Sequence, residues 1–244
     1  AVRAPVVALA LCAGVATLAA AGDDAQYRGG PAHPGVYAGP AVTTPKGLKW
    51  KFETANWIDS SPAVAQGMVF FGGDDACLYA LDAATGKELW RFRTGHWVQS
   101  SPAVASGVVY FGSLDGNVYA LDAKTGGEKW RFAASGYVAG APCVAEGAVY
   151  FGCADGHVFA LDAQKGAERW KFKTEDKVGS SPAFADGAVY VTSRDGNLYA
   201  LDAKTGRELW RFSALLPIEA SPAVAGGMVY FGGHDHFLYA VDAK

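Results

Sequence analysis

One 40-residue unit is written five times in this chain, and no insertion or deletion interrupts the spacing. A proline after two small residues marks the start of each copy, at Pro62, Pro102, Pro142, Pro182 and Pro222. A tryptophan recurs at the same interval, at Trp50, Trp90, Trp130, Trp170 and Trp210. Such a period predicts a repeat architecture in which each unit buries its apolar faces against its neighbours. Loops of constant length also argue against the irregular loops on which many catalytic sites lie.

One copy, residues 100–133, divides into four short segments with strand character, at 103–105, 108–111, 118–121 and 129–132. The last of these alternates aromatic and charged residues, which favours a strand with one buried face. Four short antiparallel strands with no helix between them are typical of one propeller blade. The sequence therefore predicts an all-β fold, a β-propeller of four-stranded antiparallel blades built from five repeats.

Glycine-containing pairs separate these strands. Ser106-Gly107 predicts a tight turn, and Asp115-Gly116 predicts a type I′ hairpin turn because both residue types tolerate a positive φ. In the longer loop that follows, the Asp122 carboxylate can accept backbone amides ahead of it, and Gly126 permits the left-handed conformation.

A fourth-strand sequence, residues 48–52, precedes the first blade, whereas the last blade has three strand segments before Lys244. We expect residues 48–52 to complete the last blade and close the ring, which would remove the exposed sheet edges. The propeller then spans residues 47–244. Residues 22–46, rich in glycine and proline, form a leader that we expect to lie over its surface.

The N-terminus has a different composition. Residues 6–21 are apolar or small, Arg3 precedes them, and three alanines end the run. This pattern predicts a signal peptide over residues 1–21 and a periplasmic or secreted protein. An uncleaved membrane anchor is the alternative, although the run is shorter than the ~20 residues of a spanning helix.

Three cysteines fall within the repeats, Cys77, Cys143 and Cys153. Cys143 and Cys153 replace small residues of the other copies. If Glu146-Gly147 forms a two-residue turn, Cys143 lies opposite Tyr150. The other thiol in that blade is then roughly 10 Å away, which is too far for a disulfide. We expect free, buried thiols.

Charge and short motifs exclude several functions. The net charge is −3 and the lysines and arginines form no cluster, so we expect no nucleic-acid partner. His234-Asp235-His236 could suggest a metal site, but Asp235 holds the hairpin position that is aspartate in every copy, and no further ligands follow at a set spacing. The serines before the prolines have no repeating histidine or carboxylate to activate them. We predict no catalytic residues, no metal and no cofactor.

Residues 80–90, with the sequence ALDAATGKELW, are echoed in the next three copies. They resemble the repeat of the pyrroloquinoline-quinone-type, quinoprotein-like β-propeller family. Residues 26–33 are similar to the run before the first blade in bacterial members. The resemblance covers residues 26–244 and implies that each tryptophan docks on the backbone of a neighbouring blade. Glycines would make room there, at Gly86, Gly126, Gly166 and Gly206.

The resemblance is less specific about activity. The family includes dehydrogenases that hold the quinone (PQQ) and Ca²⁺ in the central channel, and non-enzymatic propellers of outer-membrane assembly. Its dehydrogenases carry two adjacent cysteines near the quinone, and this chain has no such pair. Members usually have seven or eight blades, so five repeats form either a small ring or a part of a larger one.

Function should lie where the copies differ. A branched residue recurs at positions 58, 98, 138, 178 and 218, and we expect it to point into the blades while its neighbours point outward. These neighbours and the nearby hairpins define a variable face. Its candidate binding residues are Trp57, Asp59, His96, Trp97, Gln99, Tyr137, Lys177, Arg194, Glu219 and His234.

Trp57, Trp97 and Tyr137 form an aromatic arc on this face, and clustered aromatics are enriched at interfaces. Alternatively, the two tryptophans plug the central channel. The sequence predicts an exported, non-enzymatic scaffold that binds a protein or peptide and contacts a membrane only through a partner. A PQQ-dependent dehydrogenase-like protein with PQQ and Ca²⁺, or a carbohydrate-binding propeller, are the alternatives.

Overall fold

The computed structural model describes residues 26–33 and 47–244. The predicted signal peptide and most of the predicted leader lie outside the described residues. The helix is one 3-10 turn, Tyr27–Gly29. The strands are β1 (Ala63–Ala65), β2 (Met68–Gly73), β3 (Cys77–Asp82), β4 (Glu88–Arg93), β5 (Ala103–Ala105), β6 (Val108–Gly112), β7 (Asn117–Asp122), β8 (Glu128–Ala133), β9 (Cys143–Ala145), β10 (Ala148–Gly152), β11 (His157–Asp162), β12 (Glu168–Lys173), β13 (Ala183–Ala185), β14 (Ala188–Thr192), β15 (Asn197–Asp202), β16 (Glu208–Ser213), β17 (Ala223–Ala225), β18 (Met228–Gly232) and β19 (Leu238–Asp242).

The strands form five antiparallel sheets, one for each repeat. Four sheets have four strands in chain order, and the last, β17–β19, has three. The predicted all-β fold is confirmed, and so is the prediction that each repeat forms one antiparallel blade. In the second sheet the middle strands β6 and β7 are buried on both faces, because another sheet packs on either side. The outer strand of this sheet, β8, is largely exposed.

One of the two predicted hairpin turns is confirmed and the other is not. Ser106 and Gly107 both have positive φ, 51° and 75°, as the tight turn requires. In the next hairpin Gly116 has a φ of 87°, and Ser113 N donates to Asn117 O at 3.0 Å across a three-residue loop. The type I′ prediction for Asp115-Gly116 was wrong. The Asp115 carboxylate accepts the Asn117 amide at 2.9 Å, so the aspartate caps the loop instead of adopting a positive φ.

Neighbouring sheets are joined as the resemblance implied. The Trp130 indole lies on Gly166, where a Cβ would come within 2.6 Å of the ring. Its Nε1 donates to the Ala163 carbonyl at 3.0 Å, and the Tyr110 hydroxyl donates to the same oxygen at 3.1 Å. Any side chain at Gly166 would displace the indole, and φ of 68° there also favours glycine.

The branched residues pack into the junctions, as predicted. Val138 is fully buried against Gly112 of the preceding sheet, and a Cβ at that glycine would clash with it. Ile58, the first of the series, differs because no described sheet precedes it, and it is 46% exposed.

The predicted pairing of residues 48–52 with the last sheet is not found among the described residues, where β19 has β18 as its strand partner. Residues 48–52 lie against the first sheet. The Trp50 Nε1 donates to Ala83 O at 3.1 Å, and the Phe52 ring lies 5.5 Å from the Tyr79 ring. The segment therefore occupies the place that the outer strand of a preceding sheet would take. In the last sheet, Leu238 of β19 is 79% exposed.

Residues 26–33 are the described part of the predicted leader. They follow the innermost strands of the last three sheets. Val144 N donates to the Gln26 side chain at 2.9 Å, and Val224 N donates to Ala32 O at 2.8 Å. The free edge of an innermost strand presents backbone amides that need acceptors, which explains this position.

The described cysteines are free and buried, and Cys143 faces Tyr150 across the β9–β10 pair as predicted. Burial raises the pKa of the Cys153 thiol to about 11, which disfavours the reactive thiolate. Within residues 26–33 and 47–244, no helix has the length and apolar character needed to cross a membrane.

Candidate binding face

The variable face carries the aromatic arc in exposed positions. Trp57 is 75% exposed, and Trp97 and Tyr137 are each 42% exposed. Neither tryptophan is buried. The residues that do lie along the innermost strands are those of the segment 26–33.

One backbone hydrogen bond fixes each arc position to the hairpin of the sheet that directly follows it in the chain. Trp97 O accepts Leu114 N at 2.9 Å, and Tyr137 O accepts Ala154 N at 3.0 Å. Trp57 O accepts Asp74 N in the same way at 2.9 Å. The side chains therefore differ between copies, whereas the backbone that carries them is held in the same way in each. This arrangement is typical of binding surfaces on rigid scaffolds.

Two further contacts order the middle of the arc. The His96 ring lies 5.2 Å from the Trp97 ring, and its Nδ1 accepts the Trp97 amide at 2.8 Å. The Lys177 Nζ lies 5.8 Å from the centre of the Tyr137 ring, which is within cation–π range. The aromatic centre of the face therefore has a basic residue at its edge.

At the junction of the fourth and fifth sheets the charged candidates neutralise one another. Arg194 Nε lies 3.2 Å from one carboxylate oxygen of Glu219, and His234 Nε2 lies 3.5 Å from the other. Because all three side chains are about half exposed, these pairs add little stability.

At the junction of the first and second sheets the charges are not balanced. The Gln99 Nε2 lies 3.3 Å from Asp59 Oδ2 and 3.4 Å from Asp74 Oδ2. Asp74 is 4% exposed. It was missing from the predicted site residues, although it holds the same repeat position as Arg194 and His234. That alignment was the signal that could have identified it.

The motifs that could have suggested a metal site or a nucleophile, the His234-Asp235-His236 run and the serines before the prolines, have structural roles. Asp235 accepts the Tyr239 hydroxyl, which lowers the pKa of the carboxyl group, and His236 takes the left-handed turn position with φ of 71°. Ser101 Oγ accepts the Ser61 amide at 2.8 Å across a sheet junction. Among the described residues, no group of three or more His, Cys, Asp or Glu side chains is placed to hold a metal ion.

Fold and repeat together define a β-propeller of the pyrroloquinoline-quinone type. The model of one family within this class, described as outer membrane protein assembly factor BamB, matches residues 46–173 and 154–244. The chain belongs to this family. None of the curated protein sequences compared with this chain matches it.

Solved structures share the fold at low sequence identity. BamB from Moraxella catarrhalis is 22% identical with a TM-score of 0.67, over 76% of this chain and 58% of that one. A quinohemoprotein alcohol dehydrogenase from Pseudomonas putida HK5 is 22% identical with a TM-score of 0.69, over 80% and 42%. Another, from Comamonas testosteroni, is 20% identical with a TM-score of 0.68, over 80% and 43%. This chain thus spans about half the length of these structures, and the likeness establishes the fold alone.

Proposed function

We propose that this protein is an exported, non-enzymatic scaffold that binds a protein or peptide partner through the aromatic arc. The observation that carries the proposal is that Trp57, Trp97 and Tyr137 hold the same position in three successive repeats and are all exposed, on the face where the repeats differ. Large aromatics on a rigid backbone lose little entropy on binding and dominate many interfaces. The BamB family, named for outer membrane protein assembly, supports a protein partner in the cell envelope.

The test begins with a partner captured by crosslinking from an envelope extract and identified by mass spectrometry. The purified partner is then titrated against the intact chain and against Trp57→Ala and Trp97→Ala variants. We expect each variant to weaken binding about tenfold or more, the usual effect at an interface hot spot, with an unchanged melting temperature.

A matched control is Leu209→Ala, which removes an apolar side chain of similar exposure (45%) from outer strand β16. It should leave binding unchanged. Equal affinities for the control and both tryptophan variants would show that the arc is not the binding surface.

The quinohemoprotein neighbours favour a PQQ-dependent dehydrogenase as the second candidate. Two observations weigh against this candidate: the sequence has no adjacent cysteines, and the described carboxylates form no three-ligand group. Titration with PQQ and Ca²⁺ followed by a dye-reduction assay tests this candidate, and saturable quinone binding would favour it over the scaffold. A glycan array tests the carbohydrate alternative, since exposed tryptophans also stack on sugar rings.

A further inference from the structure

Asp74 is a buried carboxylate whose hydrogen-bonding capacity is incompletely used. It is 4% exposed, and its Oδ1 has no hydrogen-bond partner among the described residues. Burying a charged oxygen without a partner is costly, and such groups are normally paired. An unpaired acceptor beside a binding face therefore points to a donor supplied from outside the chain.

The second oxygen of Asp74 faces another carboxylate. Gln99 lies between them, and its one amide nitrogen donates to Asp59 Oδ2 at 3.3 Å and to Asp74 Oδ2 at 3.4 Å. Both distances are at the long end for hydrogen bonds. No ion pair of the described residues includes either aspartate. We call Asp59, Asp74 and Gln99 the acidic site.

The repeat supplies an internal comparison. Gln99 and Asp74 hold the same two positions as Glu219 and Arg194 at the junction of the fourth and fifth sheets. There a guanidinium of the chain itself lies 3.2 Å from the carboxylate. At the acidic site the corresponding cation is missing from the described residues, so the junction has its negative charges without their partner.

We propose that the acidic site binds a positively charged side chain of the partner, and that arginine is its best match. This inference rests on the proposed function and specifies which residue of the partner is recognised. A guanidinium presents several donors in one plane and can therefore donate to two carboxylates at once. The neutral amide of Gln99, in comparison, makes only two long contacts with the same carboxylates. Trp57, joined to Asp74 through its carbonyl, offers an exposed indole face on which a cation can stack.

The direct test titrates the protein with the peptide Ac-Gly-Arg-Gly-amide and follows the side-chain amide of Gln99 by NMR. The control peptide replaces arginine by citrulline, which keeps the shape and removes the charge. We expect saturable shifts of the Gln99 signals with the arginine peptide, and binding at least about tenfold weaker with the citrulline peptide. Equal shifts with both peptides would overturn the proposal. So would saturation by CaCl₂ that displaces the arginine peptide, because the site would then bind a metal.

Two variants test the residues. Asp74→Asn keeps the side-chain shape and should abolish the preference for arginine over citrulline. Gln99→Lys places a cation of the chain between the carboxylates; it should block the arginine peptide and raise the melting temperature. The second variant keeps the test decisive if the first one unfolds. Asp186→Asn is the control and should bind like the parent, because Asp186 lies in the turn between β13 and β14, at the end of β14 away from the Arg194 hairpin. Retained arginine preference in Gln99→Lys would overturn the proposal.

Failure of this inference differs from failure of the proposed function. If Trp57→Ala and Trp97→Ala lose the captured partner while Asp74→Asn and Gln99→Lys retain it, the scaffold proposal stands and the acidic site falls. If none of the four variants affects the partner, both fall.

Discussion

Interior junctions and the two ends of the sheet array bury the same repeat positions to different extents. Leu198 is fully buried in the fourth sheet, whereas Leu238 holds the same position in the last sheet and is 79% exposed. Val104 is fully buried in the second sheet, and its equivalent in the first, Val64, is 55% exposed. The residue types are nearly identical, so the difference comes from the neighbouring sheet. In a repeat fold, burial is a property of the junction and not of the single unit.

Each end also carries one half of a junction. At the second–third and third–fourth junctions one carbonyl accepts both a tryptophan and a tyrosine, as Ala203 O does from Trp170 and Tyr150. At the first sheet Ala83 O accepts Trp50 in the same manner. At the last sheet Tyr230 is 40% exposed instead of buried. The first sheet thus keeps the tryptophan contact, and the last sheet presents the tyrosine that such a junction uses.

The largest difference is expected for leucine truncation. Leu198→Ala should lower the free energy of unfolding by about 2–5 kcal/mol, because a fully buried side chain leaves a cavity. Leu238→Ala should change it by less than about 0.5 kcal/mol, since an exposed site loses little apolar burial. Urea unfolding followed by tryptophan fluorescence measures both. An equally large loss for Leu238→Ala would show that the last sheet is covered in solution, as the closing role predicted for residues 48–52 requires.

A smaller difference is expected when a methyl group is added. Gly152→Ala should cost about 1–3 kcal/mol, because its Cβ would overlap Val178 of the next sheet. At Gly232, the equivalent glycine of the last sheet, the nearest atom to such a Cβ is 3.9 Å away. Gly232→Ala should therefore be neutral or slightly stabilising. Destabilisation at both glycines, in thermal unfolding followed by circular dichroism, would place a branched side chain against Gly232.

The same contrast explains how far the sequence could predict the fold. The period and the strand alternation belong to each copy, so the blades, the tryptophan docking and the buried Val138 could be predicted. The predicted pairing of residues 48–52 with β19, which is not found among the described residues, depends on how the array curves, and no repeat position encodes that curvature. The sequence also did not indicate that residues 26–33 follow the innermost strands, because these residues bind backbone amides, which have no sequence signature.

The candidate face was partly predictable for a similar reason. Alternation around the branched residue predicts that Trp57 and Trp97 point outward, and both are exposed. Asp74 could not be identified as a buried group in this way. Its burial depends on a neighbouring sheet and on Gln99, and carboxylates in hairpins are ordinarily solvated. Exposure does not test whether the face binds a partner, so its function stays a prediction.

The smallest difference concerns one hydroxyl group. Tyr150 is 1% exposed and its hydroxyl donates to Ala203 O at 3.2 Å across the junction. Tyr150→Phe should lower the free energy of unfolding by about 1 kcal/mol. Tyr230→Phe, at the exposed end, should leave it unchanged within about 0.3 kcal/mol. The same urea titrations measure both values.

The effect of pH tests whether the junction buries this hydroxyl group. Burial raises the pKa of Tyr150 to about 12, whereas an unfolded tyrosine titrates near pH ~10. The stabilisation from keeping this hydroxyl protonated is therefore complete below pH ~10 and is lost as the pH rises from ~10 to ~12. Tyr150→Phe removes that loss, so its deficit relative to the parent should shrink across this window. A deficit that stays constant with pH would mean that the hydroxyl ionises in the folded and unfolded states alike, and that the junction does not shield it.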